Sequence, residues 1–317
     1  MVLFTRTRPR KKQIIKKRIM RILKWLALAI MAGIIYSFGV AVYENIKVDQ
    51  SLEAFKARAE FEYQTEVETR PGVWQTRYFY KVSRETSYEL ADERSVFYTP
   101  TRVHLGQKGD IFVTQQSPFP HIKWFDPFMS YYFGGHAAIH DGNNRFIEAT
   151  GFPDNDESLL GIIFHPGDQP HEYSVVVSRS ATNYWLTKGY RPETDDQYPY
   201  YGSHYRTRFV GLRVKYITED QIDGVVDFGN QLIENEALYN FLFFLDMKHK
   251  YYCTDLVSRA YQHVMVPEDR QRSYARALND DRFITSVNDM ILSNDTYIHF
   301  YVEIIDEEAH IYYLEDL

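Results

Sequence analysis

The feature that most constrains this chain is a run of nineteen uncharged residues, Trp25 to Tyr43, that follows a strongly basic segment. Residues 1–24 carry ten Lys or Arg and no acid. A helix of nineteen residues spans about 28 Å, which is close to the hydrocarbon thickness of a bilayer. We therefore predict a transmembrane helix over residues 25–43, preceded by a basic tail over residues 1–24.

The basic flank also predicts the orientation of this helix. Lys and Arg accumulate on the cytoplasmic side of membrane spans, so the tail should be cytoplasmic and residue 44 onward should lie on the outer side. A cleaved signal peptide is the rival interpretation, but the apolar run is long and no clear small-x-small cleavage site follows it. We favour an uncleaved, single-pass anchor in the cell membrane.

The charge balance is consistent with a divided molecule. The chain has 36 basic and 43 acidic residues. Without the ten basic residues of the tail, 26 basic and 43 acidic residues remain, which is a net charge of −17. Such an acidic outer part argues against a nucleic-acid partner, which would require a basic surface. The basic tail is explained by membrane topology and by attraction to anionic lipids of the inner leaflet.

Past the anchor, residues 44–100 are predicted to be a stalk and an accessory segment. Leu52, Phe55 and Ala59 recur among charges in residues 48–62, which is typical of a short amphipathic helix. Residues 63–100 alternate around Arg70-Pro71-Gly72 and predict a hairpin, either in a small subdomain or as extra strands on the core sheet. Residues 101–317 suffice for one domain with a single core.

Within that domain, residues 171–245 are interpreted as a long insertion. Residues 174–178 predict a strand, residues 219–235 a helix after Thr218 as N-cap, and residues 238–245 a buried aromatic run. Residues 189–207 predict an irregular surface loop. Six tyrosines in or beside it would either half-bury their rings or line a groove for a sugar or peptide; they are Tyr184, Tyr190, Tyr198, Tyr200, Tyr201 and Tyr205.

The only cysteine of the chain, Cys253, is followed by apolar residues at helical spacing, so it is predicted to open a buried helix. Thr254 and Asp255 suit the first turn, where a thiolate would also be stabilised by the helix dipole. The alternative is an inert, buried cysteine. Lys248, His249 and Lys250 precede it and would lower its pKa further if they faced it, although a solvated basic loop is the commoner arrangement.

A histidine and a glutamate form the second candidate element. Residues 136–140 and 145–149 predict a hairpin around Asp141-Gly142-Asn143-Asn144. A two- or four-residue loop places His136 opposite Ala149, whereas a three-residue loop or a bulge places it opposite Glu148. Only the second register suits catalysis, and Gly134 and Gly135 would let a substrate or another backbone approach the base.

These motifs resemble the NlpC-like papain-fold superfamily of cell-wall peptidases. The resemblance rests on residues 135–149, on Tyr252-Cys253-Thr254-Asp255-Leu256-Val257, and on Gly109-Asp110-Ile111-Phe112-Val113 as the strand that opens the core. Histidine before cysteine matches the circularly permuted branch, which includes YiiX-like proteins and relatives of lecithin-retinol acyltransferase. The resemblance covers roughly residues 100–170 and 245–265.

The resemblance implies an α+β fold in which an antiparallel sheet packs on the cysteine-bearing helix. It also implies Cys253 as nucleophile, His136 as base and Glu148 as the residue that orients the imidazole. The amide of Cys253 would donate to the oxyanion, aided by Tyr251 or Tyr252.

The expected activity is hydrolysis of amide bonds in peptidoglycan peptides, without a metal or organic cofactor. The alternatives are a lipid acyl hydrolase or acyltransferase and a catalytically inactive protein that binds an envelope component through the tyrosine-rich loop. The oligomeric state is left open.

Overall fold

The protein is described from a computed structural model that covers residues 11–122, 135–243, 248–270, 277–278 and 284–317, with side chains from residue 15 onward. The helices are α1 Lys11–Ala57, α2 Ser87–Ala91, α3 Leu159–Phe164, α4 Tyr198–Tyr201, α5 Glu219–Glu234, α6 Cys253–Met265 and α7 Val287–Leu292, with a 3₁₀ turn at Glu268–Arg270. The strands are β1 Ala59–Arg70, β2 Val73–Val82, β3 Ile111–Thr114, β4 His136–His140, β5 Phe146–Ala149, β6 Val177–Arg179, β7 Arg208–Val214, β8 Leu238–Tyr239, β9 Lys250–Tyr251, β10 Thr296–Ile305 and β11 Glu308–Leu314.

Nine of the strands form one sheet, in the order β1-β2-β11-β10-β7-β3-β4-β5-β6. Every neighbouring pair is antiparallel except β11 with β2, which runs parallel. The short strands β8 and β9 form a separate parallel pair. The chain is therefore a mixed α+β protein with a large, mainly antiparallel sheet.

Aromatic side chains fill the core beneath the centre of the sheet. Phe112 on β3 lies at 4.7 to 6.2 Å, between ring centroids, from Phe146, Trp185, Phe209 and Phe300. All five rings are buried. Burial of large apolar rings stabilises the fold and holds β3, β4 and β5 in fixed register.

The cysteine-bearing helix α6 packs on one face of this sheet, against β4, β5 and helix α5. Leu256, Val257 and Ala260 of α6 are buried, as its apolar spacing predicts. Helix α5 begins after Thr218, whose side chain accepts from the Gln221 amide in a capping box, so the predicted N-cap is confirmed.

Helix α1 is a single helix through the predicted anchor and the predicted stalk. Among the described residues, one helix is long and apolar enough to cross a membrane, Ile15–Ala57, whose most apolar window has a mean hydropathy of 2.1 and is 6% buried. Length and composition of this kind are compatible with a single-pass anchor or with a signal sequence.

The end of α1 nearest the sheet is not a free stalk. Val48, Leu52 and Phe55 are buried in the main core, and Ala59 already belongs to β1. Asn45 accepts hydrogen bonds from Gln115 at 3.1 Å and from Asn288 at 2.9 Å. Apolar contact and hydrogen bonds together fix the helix against the domain.

The predicted hairpin of residues 63–100 forms around Pro71 and Gly72, with Arg70 paired to Val73. Its strands are extra strands of the core sheet, because β2 pairs with β11. The sequence left this choice open, since the partner strand lies more than two hundred residues away.

Residues 171–245, interpreted from the sequence as an insertion, contribute a strand to the central sheet. Strand β7 lies near the middle of the sheet between β10 and β3, so this part of the segment belongs to the core. The segment over residues 189–207, expected to be a surface loop, is only partly at the surface, because Arg191, His204 and Arg206 are buried in it. Of the aromatic run over residues 238–245, residues 244 and 245 lie outside the described part of the chain.

Candidate active site

The histidine hairpin forms with a three-residue loop. The loop lies one residue later in the chain than the loop that would place His136 opposite Glu148, so each strand partner is shifted by two residues. Ala138 pairs with Glu148, and the Asp141 amide donates to the carbonyl of Arg145, so residues 142–144 form the loop. His136 is therefore not directly opposite Glu148. The two side chains lie diagonally across the strands on the same face, because residues two apart along a strand share a face.

The diagonal arrangement still joins the imidazole to the carboxylate. Nε2 of His136 lies 2.8 Å from Oε2 of Glu148, and both residues are buried, at 8% and 6% exposure. An ionised carboxylate can only accept, so Nε2 carries a proton and the other ring nitrogen, Nδ1, points elsewhere. This is the geometry in which a carboxylate fixes the tautomer of a catalytic histidine.

Tyr184 is a third member of this arrangement that the sequence did not single out. Its buried hydroxyl donates to the same Oε2 of Glu148 at 2.5 Å. Burial and the charge of Glu148 raise the pKa of Tyr184 well above its ordinary value, so the phenol stays protonated and remains a donor. In the sequence it was one of six loop tyrosines, with no signal that linked it to Glu148.

Cys253 is the first residue of helix α6, as predicted, and it is partly buried. Tyr252 is the N-cap and gives no side-chain hydrogen bond to the first turn. Thr254 anchors this end of the helix, because its hydroxyl donates to the carbonyl of Thr285 at 2.5 Å. Asp255 pairs with Arg259 one turn later. A cysteine at this position experiences the positive end of the helix dipole.

The thiol and the imidazole meet at this helix end. The side chain of Cys253 acts on the pKa of His136 together with Glu148, and both Cys253 and His136 line the same cavity. Burial lowers the pKa of His136, but the interactions with Cys253 and Glu148 outweigh that effect and raise the pKa to about 9. The imidazolium form is therefore favoured at neutral pH. The three residues that the sequence proposed as a triad are thus brought together.

The side chains of His136 and Cys253 open onto a cavity of about 690 Å³. His136 and Cys253 lie on its wall, and the aromatic residues Tyr190, Tyr205 and Tyr239 also line it. Other lining residues are Phe119, Phe152, Phe241, Phe243, Arg191, Arg206 and Gln197. The space is large enough for a substrate of several residues and is mostly apolar, as ligand sites commonly are.

Two aromatic rings restrain the imidazole. The Trp185 ring stacks at 5.9 Å from the His136 ring with an interplanar angle of 20°, and the Tyr205 ring lies edge-on at 6.0 Å. Neither was identified from the sequence as a site residue with this role. Their packing limits rotation of the ring, so the hydrogen bond to Glu148 is preorganised.

The two tyrosines expected near the oxyanion differ in position. Tyr252 lines the cavity, and its hydroxyl accepts from the Thr285 amide at 3.1 Å. Tyr251 instead donates to the carbonyl of Lys248 at 3.4 Å and lines a different cleft, together with Gly167 and His249. Among the described residues, Tyr252 and not Tyr251 is the one of this pair that lines the cavity with Cys253.

The basic residues before the cysteine do not form a solvated loop throughout. Lys250 is buried, and its ammonium group donates to the carbonyls of Ile162 and Ile163 at 2.8 and 3.0 Å. Lys248 is exposed. Lys250 therefore stabilises the end of α3, and its charge is committed there.

The six loop tyrosines have different roles. Tyr190 and Tyr205 line the cavity, Tyr184 binds Glu148, and Tyr201 is buried with its hydroxyl donating to the carbonyl of Ser117. Tyr200 is exposed. Part of the cluster thus supplies a ligand-sized surface and part supplies packing.

Compared with known proteins, the chain matches no protein-family model, no curated protein and no solved structure.

Proposed function

We propose that the protein is a membrane-anchored cysteine hydrolase in which Cys253 attacks an amide or ester carbonyl. The observation that carries the proposal is the buried His136 ring, which is hydrogen-bonded to the Glu148 carboxylate and shares a cavity wall with Cys253, whose side chain acts on its pKa. A nucleophile and a base on one cavity wall, with a buried carboxylate that orients the base, are what nucleophilic catalysis requires.

The reaction would proceed in two stages. The Cys253 thiolate forms a bond to the carbonyl carbon, and the His136 imidazolium gives its Nδ1 proton to the leaving amine or alkoxide as the C–N or C–O bond breaks. Water then attacks the thioester while neutral His136 takes its proton. The thioester C–S bond breaks, the acid product leaves, and the thiolate and imidazolium are restored.

The developing oxyanion would be stabilised at the N-terminus of α6. Backbone amides of the first turn carry the positive end of the helix dipole, and the amide of Cys253 is the nearest in sequence to the reacting sulfur. Tyr252, which lines the same wall, is the side chain placed to assist.

We further propose that the domain is a permuted papain-like fold. In support, the sequence order is histidine strand, carboxylate strand, then cysteine helix, and α6 packs directly on β4 and β5. This is the order that the resemblance to the NlpC-like superfamily implies. The extra strands β1 and β2 and the docked helix α1 are additions to that core.

The proposed substrate is an amide of a peptidoglycan stem peptide. An anchor with the basic tail in the cytoplasm would hold the acidic domain on the outer side, where such peptides are within reach. The aromatic and polar lining of the cavity suits a peptide that is partly extended.

A lipid ester is the second candidate substrate, and the position of the anchor favours it. Helix α1 contacts α7, and Val287 at the start of α7 lines the cavity. Asn45, which bonds to Asn288 of α7, lies two residues after the uncharged run that ends at Tyr43. The cavity is therefore close to the membrane surface if α1 spans the bilayer.

Incubation of the full chain, reconstituted in vesicles, with purified cell walls tests the first candidate, and a short-chain acyl ester tests the second. Mass spectrometry should detect released peptides in one arm or free fatty acid in the other. Cys253→Ala and His136→Ala should each abolish release. Full activity in Cys253→Ala, with either substrate, would overturn the proposal.

A further inference from the structure

Arg206 is a buried cation on the wall of the cavity that contains Cys253 and His136. Arg206 is only 3% exposed to solvent. A buried guanidinium needs hydrogen-bond acceptors and is stabilised by a negative charge nearby. The hydrogen-bond partners of Arg206 therefore indicate whether the protein itself supplies a negative charge to the guanidinium.

The described residues give Arg206 only neutral hydrogen-bond acceptors. Nε donates to the carbonyl of Gln116 at 3.3 Å, and Nη1 donates to the carbonyl of Tyr205 at 2.7 Å and to Oε1 of Gln197 at 3.3 Å. Its guanidinium carbon also lies 4.8 and 4.5 Å from the ring centroids of Tyr201 and Tyr205. Within the described part of the chain, no carboxylate forms an ion pair with it, and Nη2 has no acceptor.

The neighbouring arginine shows the contrast. Arg191 lines the same cavity and is also buried, but its Nη1 donates to Oδ1 of Asp195 at 2.7 Å. The hydrogen bond of Asp195 is made to Arg191, while the charge of Arg206 acts on Asp195 without a direct bond; Asp196, which lines the same region, is exposed to solvent. Arg77 is another buried arginine that bonds to neutral groups, but it is not among the residues that line this cavity.

Arg206 is also close to the reacting groups. The Tyr205 ring lies 6.0 Å from the His136 ring, and the same ring lies 4.5 Å from the Arg206 guanidinium carbon. One tyrosine ring therefore separates the imidazole from the guanidinium. A substrate that reaches Cys253 could carry a group that reaches Nη2.

We propose that Arg206 binds an anionic oxygen group of the substrate, a carboxylate or a phosphate, beside the carbonyl that Cys253 attacks. This inference rests on the proposed function for the identity of the reacting carbonyl. Arginine donates charge-assisted hydrogen bonds to both kinds of anion, and these are stronger than bonds between neutral groups. The fixed neutral bonds to Nε and Nη1 hold the guanidinium in place before the substrate arrives.

Two matched pairs of probes test the proposal. The first is a stem-peptide amide with a free carboxylate next to the scissile amide, and the same peptide with that group converted to a carboxamide. The second is a short-chain phospholipid and the uncharged diacylglycerol with the same acyl chains. Calorimetric binding to the full-length Cys253→Ala chain should favour one charged probe over its neutral partner by at least about tenfold.

Arg206→Met should remove that preference by weakening only the charged probe, while the neutral probe binds as before. Arg191→Lys is the control, because it changes the other cavity arginine while keeping a cation beside Asp195, and it should affect both members of a pair equally. Equal affinity for charged and neutral members in both pairs, or no binding of either charged probe at millimolar concentration, would overturn the assignment. Charge-selective binding without any cleavage by the wild-type chain would instead refute the proposed hydrolase and leave the anion site standing.

Discussion

Glu148 is the residue of the proposed triad whose replacement is most informative, because its carboxylate sets the tautomer of His136. In Glu148→Gln the side-chain amide can present N–H groups to Nε2, which then must act as an acceptor and leave its proton on Nδ1, facing the thiol. We expect kcat to fall by about 10³- to 10⁴-fold, as when a triad carboxylate is replaced by its amide. Initial-rate kinetics on the cleaved substrate measure this loss, and an unchanged far-UV circular dichroism spectrum would show that the fold is retained.

Tyr184→Phe is the matched control at this position. It removes the phenol that donates to Glu148 Oε2 and leaves the carboxylate itself in contact with His136. We expect a fall in kcat of about tenfold or less, because a single hydrogen bond contributes about 1 kcal/mol. A loss in Tyr184→Phe as large as in Glu148→Gln would contradict the assignment of the tautomer to the carboxylate.

The raised pKa of His136 predicts a pH dependence of stability. Its folded-state pKa is raised to about 9, above the ordinary 6.5, chiefly by the interactions with Cys253 and Glu148 that outweigh burial. The stabilisation it contributes is therefore fully present below about pH 6.5 and is lost as the pH rises through about 9. Urea unfolding of wild type and His136→Gln across pH 6 to 10 measures it.

The difference in free energy of unfolding between the two chains should shrink across that pH window, by about 1 to 3 kcal/mol. The same comparison in a Cys253→Ala background separates the two partners, since only the Glu148 bond then raises the pKa. A difference that stays constant from pH 6 to 10 would show that His136 does not exchange its proton in this range.

At the scale of secondary structure, Gly135 fixes the position at which strand β4 begins and hence where His136 lies. Its φ is +82°, and a Cβ there would lie 2.0 Å from the backbone oxygen of Thr114. Gly135→Ala should therefore cost about 3 kcal/mol or more, from the left-handed φ together with displacement of β3 or β4. Thermal unfolding and residual activity measure the two consequences.

Gly72→Ala is the control that measures the cost of the left-handed backbone conformation without a steric clash. Gly72 has φ +75° in the β1–β2 turn, and nothing lies within 4 Å of the Cβ that would be added. It should cost only about 1 to 2 kcal/mol and leave activity per folded molecule unchanged. Equal effects of the two substitutions would show that close approach to Thr114 is unimportant for the site.

Local sequence signals predicted the helix that begins at Cys253 and the cap at Thr218, because both depend on residues within one or two turns. The hairpin was also predictable, but its register was not. Asp141, Gly142, Asn143 and Asn144 all tolerate turn conformations, and only the structure shows that Gly142 and Asn144 have the positive φ values. The partner of Glu148 is Ala138, two residues after His136. Residues two apart along a strand point to the same face of the sheet, so His136 and Glu148 still make contact although they are not directly opposite.

Contacts between distant parts of the chain could not be predicted. The parallel pairing of β2 with β11 joins residues more than two hundred positions apart, and neither strand carries a signal that names its partner. The bond from Tyr184 to Glu148 and the buried position of Arg206 depend on how residues 183–207 fold over the sheet. Composition identified that segment as rich in tyrosine and could not assign its members to cavity, core or solvent.

Over the molecule as a whole, helix α1 and the domain that contains the sheet are joined by a cluster of amides. Nε2 of Gln115 donates to Asn45 at 3.1 Å and to Asn288 at 2.7 Å, and Nδ2 of Asn288 donates to Asn45 at 2.9 Å. Asn288 is fully buried on α7, and the first residue of that helix, Val287, lines the cavity. A substitution at Asn45 should therefore alter the position of Val287 in the cavity wall.

Asn45→Ala removes the acceptor of two donors, one of them on a buried residue, and should destabilise the domain by about 1 to 3 kcal/mol. Ala has a higher helix propensity than Asn, and this gain offsets part of the loss in the free energy of unfolding. Gln50→Ala, on the exposed side of the same helix, makes the same kind of propensity gain without touching the cluster and supplies the reference. If Asn45→Ala matches Gln50→Ala in both urea stability and kcat, helix α1 acts only as a tether; a fall in both would show that the anchor also holds the wall of the active site.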